Sequence, residues 1–499
     1  MKSINAAASV RPAISPTRSE DFAEWYQRVI RAADLAENGP VRGCMVIKPW
    51  GYAIWELMQA ALDRMLKRTG HRNAYFPLLI PKSLLEREMA HVDGFAKECA
   101  VVTHTRLEGR DGVLRAASPL DEPLVIRPTS ETVIGGSFAR WIKSYRDLPL
   151  LINQWANVVR WEMRPRLFLR TTEFLWQEGH TAHATQEEAR EETLRMLEIY
   201  RTFAENFLAM PVVAGKKSTL ERFPGSEDTY SIEALMQDGK ALQAGTSHFL
   251  GQNFSKAFAI RFAAESGREA YAWTTSWGVS TRLIGGLIMA HSDDNGLVLP
   301  PRVAPLQIAI LPILREDADA VLAHAEILRK CLEKLRPWGQ DMRVEVDRRN
   351  LHGGEKNWEY VKKGVPIRVE LGPRDVAQGN VTWTRRDNAV RQIAPMEKFL
   401  AIAEDELLSM QDGLLQRARQ GRERRSQMVH SMEEFRALFS TGNFLVRTYF
   451  CGDGTVEKML QNELGVTTRC FPMAEAGDVG PCFACSGRVG PPVLWARAY

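Results

Sequence analysis

The chain has 499 residues, of which 45% are hydrophobic and 25% are charged, and its formal net charge at pH 7 is +4. This length predicts two to four domains with full hydrophobic cores, and the composition excludes a disordered, collagen-like or disulfide-stabilised chain. The small positive charge permits a nucleic-acid partner but does not require one. Because no apolar run is long enough for a membrane span or a signal peptide, the sequence predicts a cytoplasmic protein without a membrane anchor.

Helical spacing and prolines predict the first elements. A Ser-Glu-Asp cap opens a predicted helix over Ser19–Glu37, and a short strand is predicted within Pro40–Pro49. A long amphipathic helix, Gly51–Arg68, leads into His71–Pro81, which is predicted to be an edge strand because proline cannot donate a ladder hydrogen bond. A helix that leads into an edge strand is common, so these residues alone do not identify a fold.

The segment VIRPTSETVI, residues 125–134, combines a strand end with a possible binding site. The strand is predicted to end at Arg127-Pro128, because a residue before proline is pushed out of the helical region. The following Thr129-Ser130-Glu131 has the residue types of a helix N-cap. Taken in isolation, this segment is therefore predicted to cap a helix.

The stretch Val158–Thr185 is predicted to be a hairpin with a basic loop. A strand begins at Val158, breaks at Arg164-Pro165-Arg166 and is predicted to resume at Leu167. The arginines of the loop lie within eleven positions and are Arg160, Arg164, Arg166 and Arg170. Guanidinium groups bind phosphate oxygens in a planar, bidentate manner. These residues leave two interpretations open, a polyphosphate site or a solvated hairpin with surface ion pairs.

Residues 186–254 continue the predicted domain. Gln186–Glu205 is predicted to be a charged amphipathic helix. The GKKS segment within Gly215–Tyr230 lacks the upstream glycine of a phosphate loop, so no such loop is predicted. The polar strand Leu242–Phe254 carries Gln243, Thr246 and His248, which are predicted to face one pocket, although a histidine buried in the core is the alternative for His248.

The last part of this domain, Trp273–Pro301, is predicted to be a strand followed by a glycine-rich apolar helix. Trp277 and Gly278 lie on the strand, and Gly278 would let a ligand approach the backbone closely. Gly285-Gly286 is predicted to allow tight helix packing. The prolines at 300, 301 and 305 then mark a linker.

Beyond the linker the pattern alternates between strand and helix, which predicts an α/β unit. Its predicted elements are the strand Leu306–Pro312, the helix Asp317–Leu335, the strand Met342–Val346, the helix Glu355–Lys363 and the strand Pro366–Leu371. Gln411–Ala437 is predicted to be a single charged helix. Four of the seven cysteines, at positions 451, 470, 482 and 485, lie near the C-terminus, which favours a metal site over disulfides.

Three stretches together resemble the prolyl-tRNA synthetases of the archaeal and eukaryotic type, which belong to the class II aminoacyl-tRNA synthetases. They are RPTSE, the basic hairpin, which is similar to motif 2, and SWGVSTR, which is similar to motif 3; residues 51–81 resemble motif 1. The resemblance runs from about Asp21 to Tyr499. It implies an α+β protein with a class II catalytic domain on an antiparallel sheet over residues 1–300. An α/β anticodon-binding domain over 301–405 and a small C-terminal α/β domain over 406–499 would follow.

The resemblance also implies an activity. L-Proline would react with ATP and Mg²⁺ to give prolyl-adenylate and then be transferred to tRNA(Pro), by a homodimer formed through motif 1. Arg160 and Arg282 would be catalytic. The residues implied to bind proline are Thr129, Glu131, Arg160, Trp176, Glu178, His180, His248, Ser276 and Gly278. The residues implied to bind ATP are Arg160, Glu162, Arg170, Thr171, Phe174, Gln243, Thr246 and Arg282.

The resemblance assigns roles in the C-terminal half as well. RNA phosphates would be contacted by Lys356, Arg368, Arg374, Arg385 and Arg386, and a base edge by Glu370. A further set on the charged helix, Arg417, Arg419, Arg422, Arg424 and Arg425, is either a solvated face or a second tRNA contact. The terminal carboxylate of Tyr499 would fold back towards the catalytic domain.

A zinc site is implied at the C-terminus, with one ligand missing. The family uses Cys-x4-Cys followed by Cys-x2-Cys, and Cys451, Cys482 and Cys485 match that pattern, whereas Val456 replaces the remaining cysteine. Structural zinc takes four ligands. Either Cys470 or water would complete the site, or the metal has been lost.

Two other functions remain to be weighed. A threonine-type synthetase would carry a zinc in its substrate pocket, and the lack of cysteine between Cys99 and Cys331 argues against it. A non-catalytic, RNA-binding paralogue would be expected to lose motif arginines, but Arg160 and Arg282 are present. Arg170 and Arg282 are 112 positions apart, which leaves no room for the large editing insertion of the common bacterial prolyl enzymes.

Overall fold

The computed structural model describes residues 12–86, 98–314 and 318–499. The start of the helix predicted at Asp317 lies outside these residues. The strands in chain order are β1 (Ala36–Asn38), β2 (Met45–Ile47), β3 (Arg72–Asn73), β4 (Leu79–Pro81), β5 (Ala100–Arg110), β6 (Val113–Ile126), β7 (Leu150–Val159), β8 (Glu173–His183), β9 (Val212–Lys216), β10 (Asp228–Leu235), β11 (Ala241–Gly251), β12 (Arg261–Ala263), β13 (Glu269–Tyr271), β14 (Trp273–Ser280), β15 (Ile308–Pro312), β16 (Val344–Val346), β17 (Ile367–Leu371), β18 (Asn380–Arg385), β19 (Arg391–Pro395), β20 (Ser426–Met428), β21 (Leu445–Tyr449), β22 (Val466–Pro472), β23 (Gly480–Pro481), β24 (Val489–Gly490) and β25 (Pro492–Arg497).

The helices are α1 (Phe22–Ala32), α2 (Pro49–Arg68), α3 (Lys82–Glu86), α4 (Glu131–Trp141), α5 (Gln186–Asn206), α6 (Asn253–Phe258), α7 (Arg282–His291), α8 (Ala318–Leu332), α9 (Gly353–Lys362), α10 (Pro373–Gln378), α11 (Met396–Arg424), α12 (Met432–Thr441) and α13 (Gly454–Leu464). The predicted helices over Gly51–Arg68 and Gln186–Glu205 are confirmed to within two residues. No helix in the described parts of the chain is both long and apolar enough to cross a membrane.

One large sheet joins the N-terminal and C-terminal parts of the chain. Its strand order is β20-β21-β25-β22-β9-β10-β11-β14-β8-β7-β3. Neighbours are antiparallel, except for the outermost pairs β20–β21 and β3–β7. The two parts meet where β22 pairs with β9, with Phe471 opposite Lys216 and Pro472 opposite Gly215. The predicted antiparallel catalytic sheet is therefore confirmed. The single strand predicted over His71–Pro81 is divided, since β3 lies at the edge of this sheet and β4, which holds Pro81, lies at the edge of the sheet β4-β6-β5.

The main core lies against this sheet and explains where α1 ends. Trp25, Tyr200 and Trp277 are among its largest buried side chains. Helix α1 starts where the Asp21 side chain accepts hydrogen bonds from the backbone of residues 23 and 24. It ends at Ala32, because the chain turns at Asp34 with a positive φ and then forms β1. The predicted extension of this helix to Glu37 is wrong.

A second sheet, in the order β16-β15-β17-β18-β19, carries its own core with α8 and α11. Its central pairs β15–β16 and β15–β17 are parallel, as crossover helices require. The predicted alternation of strand and helix after residue 305 is confirmed. Helix α11 contributes Phe399 and Leu407 to this core and then Met410 and Leu414 to a cluster with Ala209 and Val298. The proposed boundary at residue 405 therefore falls inside one continuous helix.

The single helix predicted over Gln411–Ala437 is wrong. The structure has the end of α11, the short strand β20 and then α12. The chain leaves the helix because Ser426–Met428 pairs in parallel with β21. Ser431 then starts α12, since its side chain accepts a hydrogen bond from the Glu434 backbone.

The histidine that ends α7 makes the fold sensitive to acid. Burial lowers the pKa of His291 to about 4, and its Nε2 lies 2.8 Å from the Leu208 carbonyl oxygen. Between pH 6.5 and 4 the unfolded chain takes up a proton that the folded chain does not, so stability falls as the pH falls. We expect this group to cost about 2 kcal/mol at pH 5 relative to pH 7.

Urea unfolding at pH 7 and pH 5 would measure this loss. His291→Gln keeps a donor for the carbonyl oxygen and should lose about 2 kcal/mol less than wild type over that interval. His324→Gln, at a partly exposed position of α8, should keep the wild-type difference. Equal pH dependence in wild type and His291→Gln would contradict the assignment.

Candidate active site

Two adjoining cavities lie on the face of the large sheet formed by β8, β11 and β14. The first has a volume of about 320 Å³ and the second about 390 Å³. They share Arg160, Phe174, Gln243 and Arg282 as lining residues. Because these residues belong to both walls, the two cavities form one continuous cleft.

The cleft brings together every side chain that the sequence assigned to proline or ATP. The first cavity is lined by Thr129, Glu131, Arg160, Phe174, Trp176, Glu178, His180, Gln243, Thr246, His248, Ser276, Gly278 and Arg282. The second cavity adds Glu162, Arg170 and Thr171. These residues come from seven elements or loops between positions 129 and 282, so the sheet order is what assembles them.

The loop of the hairpin differs from its prediction. Strands β7 and β8 pair antiparallel, but β8 begins at Glu173 and not at Leu167. Leu167-Phe168-Leu169 is a buried turn, with a positive φ at Phe168, and the Tyr26 hydroxyl donates to the Leu167 carbonyl oxygen at 2.8 Å. The three residues are apolar because they pack into the core. An inward-packed turn of this composition looks like the start of a strand in the sequence, which is why the strand was predicted to resume at Leu167.

Glu131 and Thr129 form an acidic corner of the first cavity. Both are buried, and the Thr129 hydroxyl donates to Oε2 of Glu131. Ser130 occupies the N-cap position of α4, but its hydroxyl donates to Glu178 at 2.5 Å and not to the helix backbone. The segment therefore does more than cap a helix: it directs two carboxylates towards one cavity.

Glu178 and His180 form a second buried pair beside it. His180 Nε2 lies 2.9 Å from Glu178 Oε2, and Gln154 Nε2 donates to Oε1 at 2.8 Å. Burial alone would raise the pKa of Glu178, but its hydrogen bonds, above all with His180, hold that pKa below the ordinary value. Burial would likewise lower the pKa of His180, but Glu178 outweighs it and raises that pKa. The pair therefore favours a carboxylate and an imidazolium.

A β-bulge in β11 decides which of its side chains face the cavity. Ile232 pairs with Gly245, and Glu233 pairs with Gln243, so Ala244 is an extra residue. Because successive strand side chains alternate, an unbulged strand would place Gln243 on the face opposite Thr246 and His248. The bulge puts all three side chains in the same cavity. They were predicted to face one pocket, but their spacing in the sequence does not reveal the bulge that makes this possible.

His248 is buried as a neutral imidazole. Its Nδ1 lies 3.0 Å from the Thr229 hydroxyl, and the Phe223 ring lies 4.6 Å from its own ring. Burial, with the charge of His180 as a smaller contribution, lowers the pKa of His248 to about 3. His248 is therefore buried, as the interpretation of a core histidine predicted, and its ring also lines the cavity.

Arginines line the middle of the cleft and its other end. Arg160 Nε donates to the Pro128 carbonyl oxygen at 2.8 Å, and its guanidinium lies 5.8 Å from the Phe174 ring and 5.7 Å from the Trp176 ring. Arg282 Nε donates to the Leu169 carbonyl oxygen at 3.1 Å. Burial, followed by the charges of Arg170 and Arg160, lowers the pKa of Arg282 to about 10. Such a concentration of guanidinium charge favours a polyanionic ligand.

Besides the Trp277 indole nitrogen, three polar atoms of residues that line the cleft make no hydrogen bond within the described residues. They are the hydroxyls of Thr171 and Ser276 and the indole nitrogen of Trp176. Buried polar atoms without partners are uncommon in folded proteins. Their position on the cavity walls is consistent with partners supplied by a ligand.

Sequence reasoning missed two sets of lining residues. A loop before β10 contributes Glu221, Arg222, Phe223 and Pro224 to the first cavity. The C-terminal part contributes Gln461, Thr467, Arg469, Ala498 and Tyr499 to the second. Only Tyr499 had a sequence signal, and its hydroxyl donates to Asp238 at 2.7 Å in the catalytic region.

Four of the five basic residues assigned to RNA phosphates are buried, and the assignment is wrong for them: Lys356, Arg368, Arg385 and Arg386. Their partners are the Asp347 carbonyl oxygen, the Asn357 side chain, the carboxylates of Asp387 and Glu406, and the carboxylate of Asp293. Arg374 is exposed. Glu370 forms an ion pair with Arg391 at 2.9 Å.

The C-terminal cysteines form a three-thiol cluster. The sulfurs of Cys451, Cys482 and Cys485 lie within 4.8 Å of one another, and within the described ranges no fourth His, Cys, Asp or Glu joins them. Cys470 is buried next to Gly215 in a separate cluster, so it does not complete the site. Val456 packs in the same hydrophobic cluster as Cys482. Three thiols this close suit a thiophilic ion such as zinc, with one coordination position left to a ligand from elsewhere.

The fold and the cleft define a class II aminoacyl-tRNA synthetase. Residues 114–291 match the tRNA synthetase class II core domain (G, H, P, S and T), and residues 307–406 match the anticodon binding domain. Residues 432–499 match the C-terminal domain of prolyl-tRNA synthetase.

Full-length relatives define the family. The chain is 57% identical to a proline–tRNA ligase of Bdellovibrio bacteriovorus over 496 residues, covering 98% of this chain and 99% of the relative. It is 56% identical over 497 residues to one from Paramagnetospirillum magneticum, with the same coverage. It superimposes with a TM-score of 0.89, at 38% identity, on the crystal structure of prolyl-tRNA synthetase from Cryptosporidium parvum complexed with halofuginone and AMPPNP, covering 98% and 99% of the two chains. The chain belongs to the prolyl-tRNA synthetase family of aminoacyl-tRNA ligases.

Proposed function

We propose that this protein activates L-proline with ATP and transfers the prolyl group to tRNA(Pro). The observation that carries the proposal is the polarity of the cleft. Buried carboxylates lie at one end, where Glu131 accepts from Thr129, and the guanidinium groups of Arg170 and Arg282 lie at the other, with Arg160 between the two ends. A cationic secondary amine suits the first end and a triphosphate suits the second.

The acidic end is assigned to the proline amine. A desolvated ammonium needs a partner of opposite charge, and Glu131 is the carboxylate that lines this corner together with the Thr129 hydroxyl. Trp176, His180, His248, Ser276 and Gly278 would enclose the ring, with Glu178 held by His180. A Cβ at Gly278 would meet the Gln177 carbonyl oxygen at 3.0 Å, so the strand backbone is closely packed there.

The basic end is assigned to ATP with its Mg²⁺. Phe174 and Arg282 would hold the two faces of adenine, and Arg170 and Arg282 the β- and γ-phosphates. Thr171, Gln243 and Thr246 would contact the nucleotide from the walls. The Glu162 side chain is an oxygen donor of the kind that Mg²⁺ prefers, and the phosphates of ATP would supply further oxygen ligands.

The first reaction step needs positioning more than proton transfer. The proline carboxylate is anionic at neutral pH, so its oxygen can attack the α-phosphorus without a base, and pyrophosphate leaves. The cost is the approach of two anions, which Arg160 would offset from its place between the two ends of the cleft. A terminal hydroxyl of tRNA would then attack the adenylate carbonyl, with AMP as the leaving group.

ATP–pyrophosphate exchange tests this function with each proteinogenic amino acid in the absence of tRNA. Exchange that depends on proline is the expected result. Exchange with no amino acid, also when tRNA is added, would overturn the proposal and favour a non-catalytic paralogue that binds RNA. The relatives do not favour that alternative, because those reported above are proline–tRNA ligases over their full lengths.

Alanine is expected to be activated as a minor substrate. Alanine lacks two of the methylenes of proline, and each is worth about 1–3 kcal/mol, or roughly 10–200-fold, so a pocket shaped for proline discriminates against alanine by roughly 10²–10⁴-fold. The stretch between Arg170 and Arg282 consists of the catalytic strands with α5 and α6, and contains no separate editing domain. Exchange at high alanine concentration should be measurable, and glycine serves as the smaller control. Complete absence of alanine-dependent exchange would contradict the argument from pocket size.

We assign tRNA contacts to the exposed basic residues Arg374 and Arg424, since the four buried ones are engaged elsewhere and Arg417 forms an ion pair with Asp387 at 3.8 Å. Arg419 instead forms an ion pair with Glu205 at 3.3 Å. We also assign a homodimer to the motif 1 region, α2 with the edge strand β3, which sedimentation of the full chain would test. The domain limits at residues 300 and 405 and the cytoplasmic location stay predictions.

The three-thiol cluster is assigned to structural zinc with a fourth ligand from solvent. When bound, the ion would tie the segment after β21 to the turn that holds Cys482 and Cys485. Purified protein is expected to contain about one zinc per chain, measured by atomic emission. Zinc should be lost more readily than from a four-cysteine site.

Val456→Cys supplies the matched test. After substitution with Co²⁺, its thiolate-to-metal absorption should rise by about one third, because four thiolates replace three. Met473→Cys, at an exposed position of the same domain, should leave the spectrum unchanged. Absence of stoichiometric zinc from both wild type and Val456→Cys would show that the metal has been lost.

A further inference from the structure

A buried charge cluster joins the C-terminal part to the wall of the cleft. It consists of Lys217, Glu233 and Arg469, whose side chains are 2%, 2% and 6% exposed. Arg469 donates to Glu233 Oε2 through Nη2 at 2.8 Å and Nε at 3.0 Å. Lys217 Nζ lies 3.3 Å from Glu233 Oε1 and donates to the Arg469 carbonyl oxygen at 2.8 Å. One carboxylate therefore lies between two cations.

This cluster gives the GKKS segment a role. Gly215 packs against the Phe471 carbonyl oxygen and Cys470, and Lys217 binds Glu233 and Arg469. The Ser218 hydroxyl donates to Glu457 at 2.8 Å. The segment therefore holds the C-terminal part against the sheet, and its side chains are engaged within the protein.

The cluster faces the cleft. Glu233 on β10 is the register partner of Gln243 on β11, so the two side chains share a face of the sheet. Arg469 lines the second cavity together with Arg160, Arg170 and Arg282, whereas Glu233 does not line it. The Arg469 guanidinium therefore separates the Glu233 carboxylate from the space in front of the motif arginines.

We propose that Arg469 is a positioning residue for nucleotide binding: it covers Glu233 and so keeps the phosphate end of the cleft positive and Arg282 free. The proposal rests on the proposed function, in that the ligand of this end is taken to be ATP. An uncovered buried carboxylate would repel phosphates and compete with them for Arg282. The pKa of Arg282 responds to both groups, since Arg469 lowers it and Glu233 raises it.

An electrostatic role and a purely structural role predict opposite patterns. Arg469→Met exposes the charge of Glu233, and we expect the KM for ATP to rise about 10-fold with the KM for proline unchanged. Glu233→Gln removes the anion and leaves both cations, so the KM for ATP should stay the same or fall. The double variant should return to within about 3-fold of wild type, because neither charge remains.

A structural latch would behave differently. Either single change breaks the same ion pair, so both would raise the KM values for ATP and proline together and lower the unfolding temperature, and the double variant would be no better. That outcome overturns the proposal, as does an unchanged KM for ATP in Arg469→Met. Arg469→Lys keeps the charge and should stay near wild type. Arg436→Met, which removes the exposed Arg436–Glu463 pair of the same domain, is the matched control.

Calorimetric binding of MgATP without proline separates this proposal from the proposed function. Suppose that wild type shows no amino-acid-dependent exchange, but Arg469→Met binds MgATP more weakly than wild type while Glu233→Gln, the double variant and Arg469→Lys do not. The proposed function then fails and the role of Arg469 stands. If exchange is normal but Glu233→Gln and Arg469→Met weaken ATP binding equally, the role of Arg469 fails alone. Should Arg469→Met not fold, the direction of the change in Glu233→Gln still decides between the two roles.

Discussion

Replacing Arg160 by methionine is expected to slow proline-dependent ATP–pyrophosphate exchange by about 10²–10³-fold. The arginine is held by its hydrogen bond to the Pro128 carbonyl oxygen and by the rings of Phe174 and Trp176, so its guanidinium is preorganised between the two ends of the cleft. Methionine keeps most of the apolar stem that contacts those rings but supplies no positive charge to the α-phosphate. The loss should appear mainly in kcat, because the charge matters most as the two anions approach.

Arg164→Met is the matched control for this change. Arg164 belongs to the same hairpin loop, is exposed and lines neither cavity. It should retain exchange within about 3-fold of wild type, as surface charges away from a site usually do. Equal rates in Arg160→Met and Arg164→Met would show that Arg160 does not stabilise the reacting phosphate and has only a structural role.

Replacing Glu131 by glutamine is expected to lower kcat/KM for proline by about 10²–10³-fold. Removing the charged partner of a buried cation costs about 3–5 kcal/mol, and glutamine keeps the size of the side chain while losing the charge. The KM for ATP should stay close to wild type, because Glu131 lines the first cavity but not the second. Exchange kinetics with proline and ATP varied separately would measure the split.

Glu173→Gln is the control for the acidic end. Glu173 begins β8, accepts from Asn157 at 2.8 Å and lines neither cavity, so its replacement should change neither KM. If Glu131→Gln raised the KM for ATP as much as that for proline, the carboxylate would be supporting the shape of the whole cleft. The assignment of Glu131 to the amine would then be wrong.

The local elements of the site were predictable because they depend on neighbours in sequence. The helix after SWGVSTR, the hairpin around the basic loop and the strand end at RPTSE follow from periodicity and proline. The resemblance then added the family and the residues that line the cleft. Even here the buried turn Leu167–Leu169 was mistaken for a strand, since an inward-packed turn and a strand can have the same composition.

Other features depended on contacts that spacing does not encode. The bulge at Ala244 sets which face Gln243 occupies, and a single inserted residue leaves no distinct signature in the sequence of this strand. The burial of Arg385 and Arg386 follows from partners such as Asp293, 93 positions away from Arg386. A basic side chain in a strand has the same sequence signal whether it binds RNA or a buried carboxylate.

The division between sequence and tertiary structure is sharpest at the second cavity. The resemblance predicted that the arginines of motifs 2 and 3 bind phosphates at this end, whereas the arginines alone left a solvated hairpin with surface ion pairs as an equal alternative. Arg469, which covers Glu233 across 236 positions, became visible only once β22 paired with β9. The local sequence pattern determines which side chains a strand or loop presents. The pairing of distant strands determines which charged side chains come into contact, as Arg469 and Glu233 do, and the chemistry of this cleft depends on both.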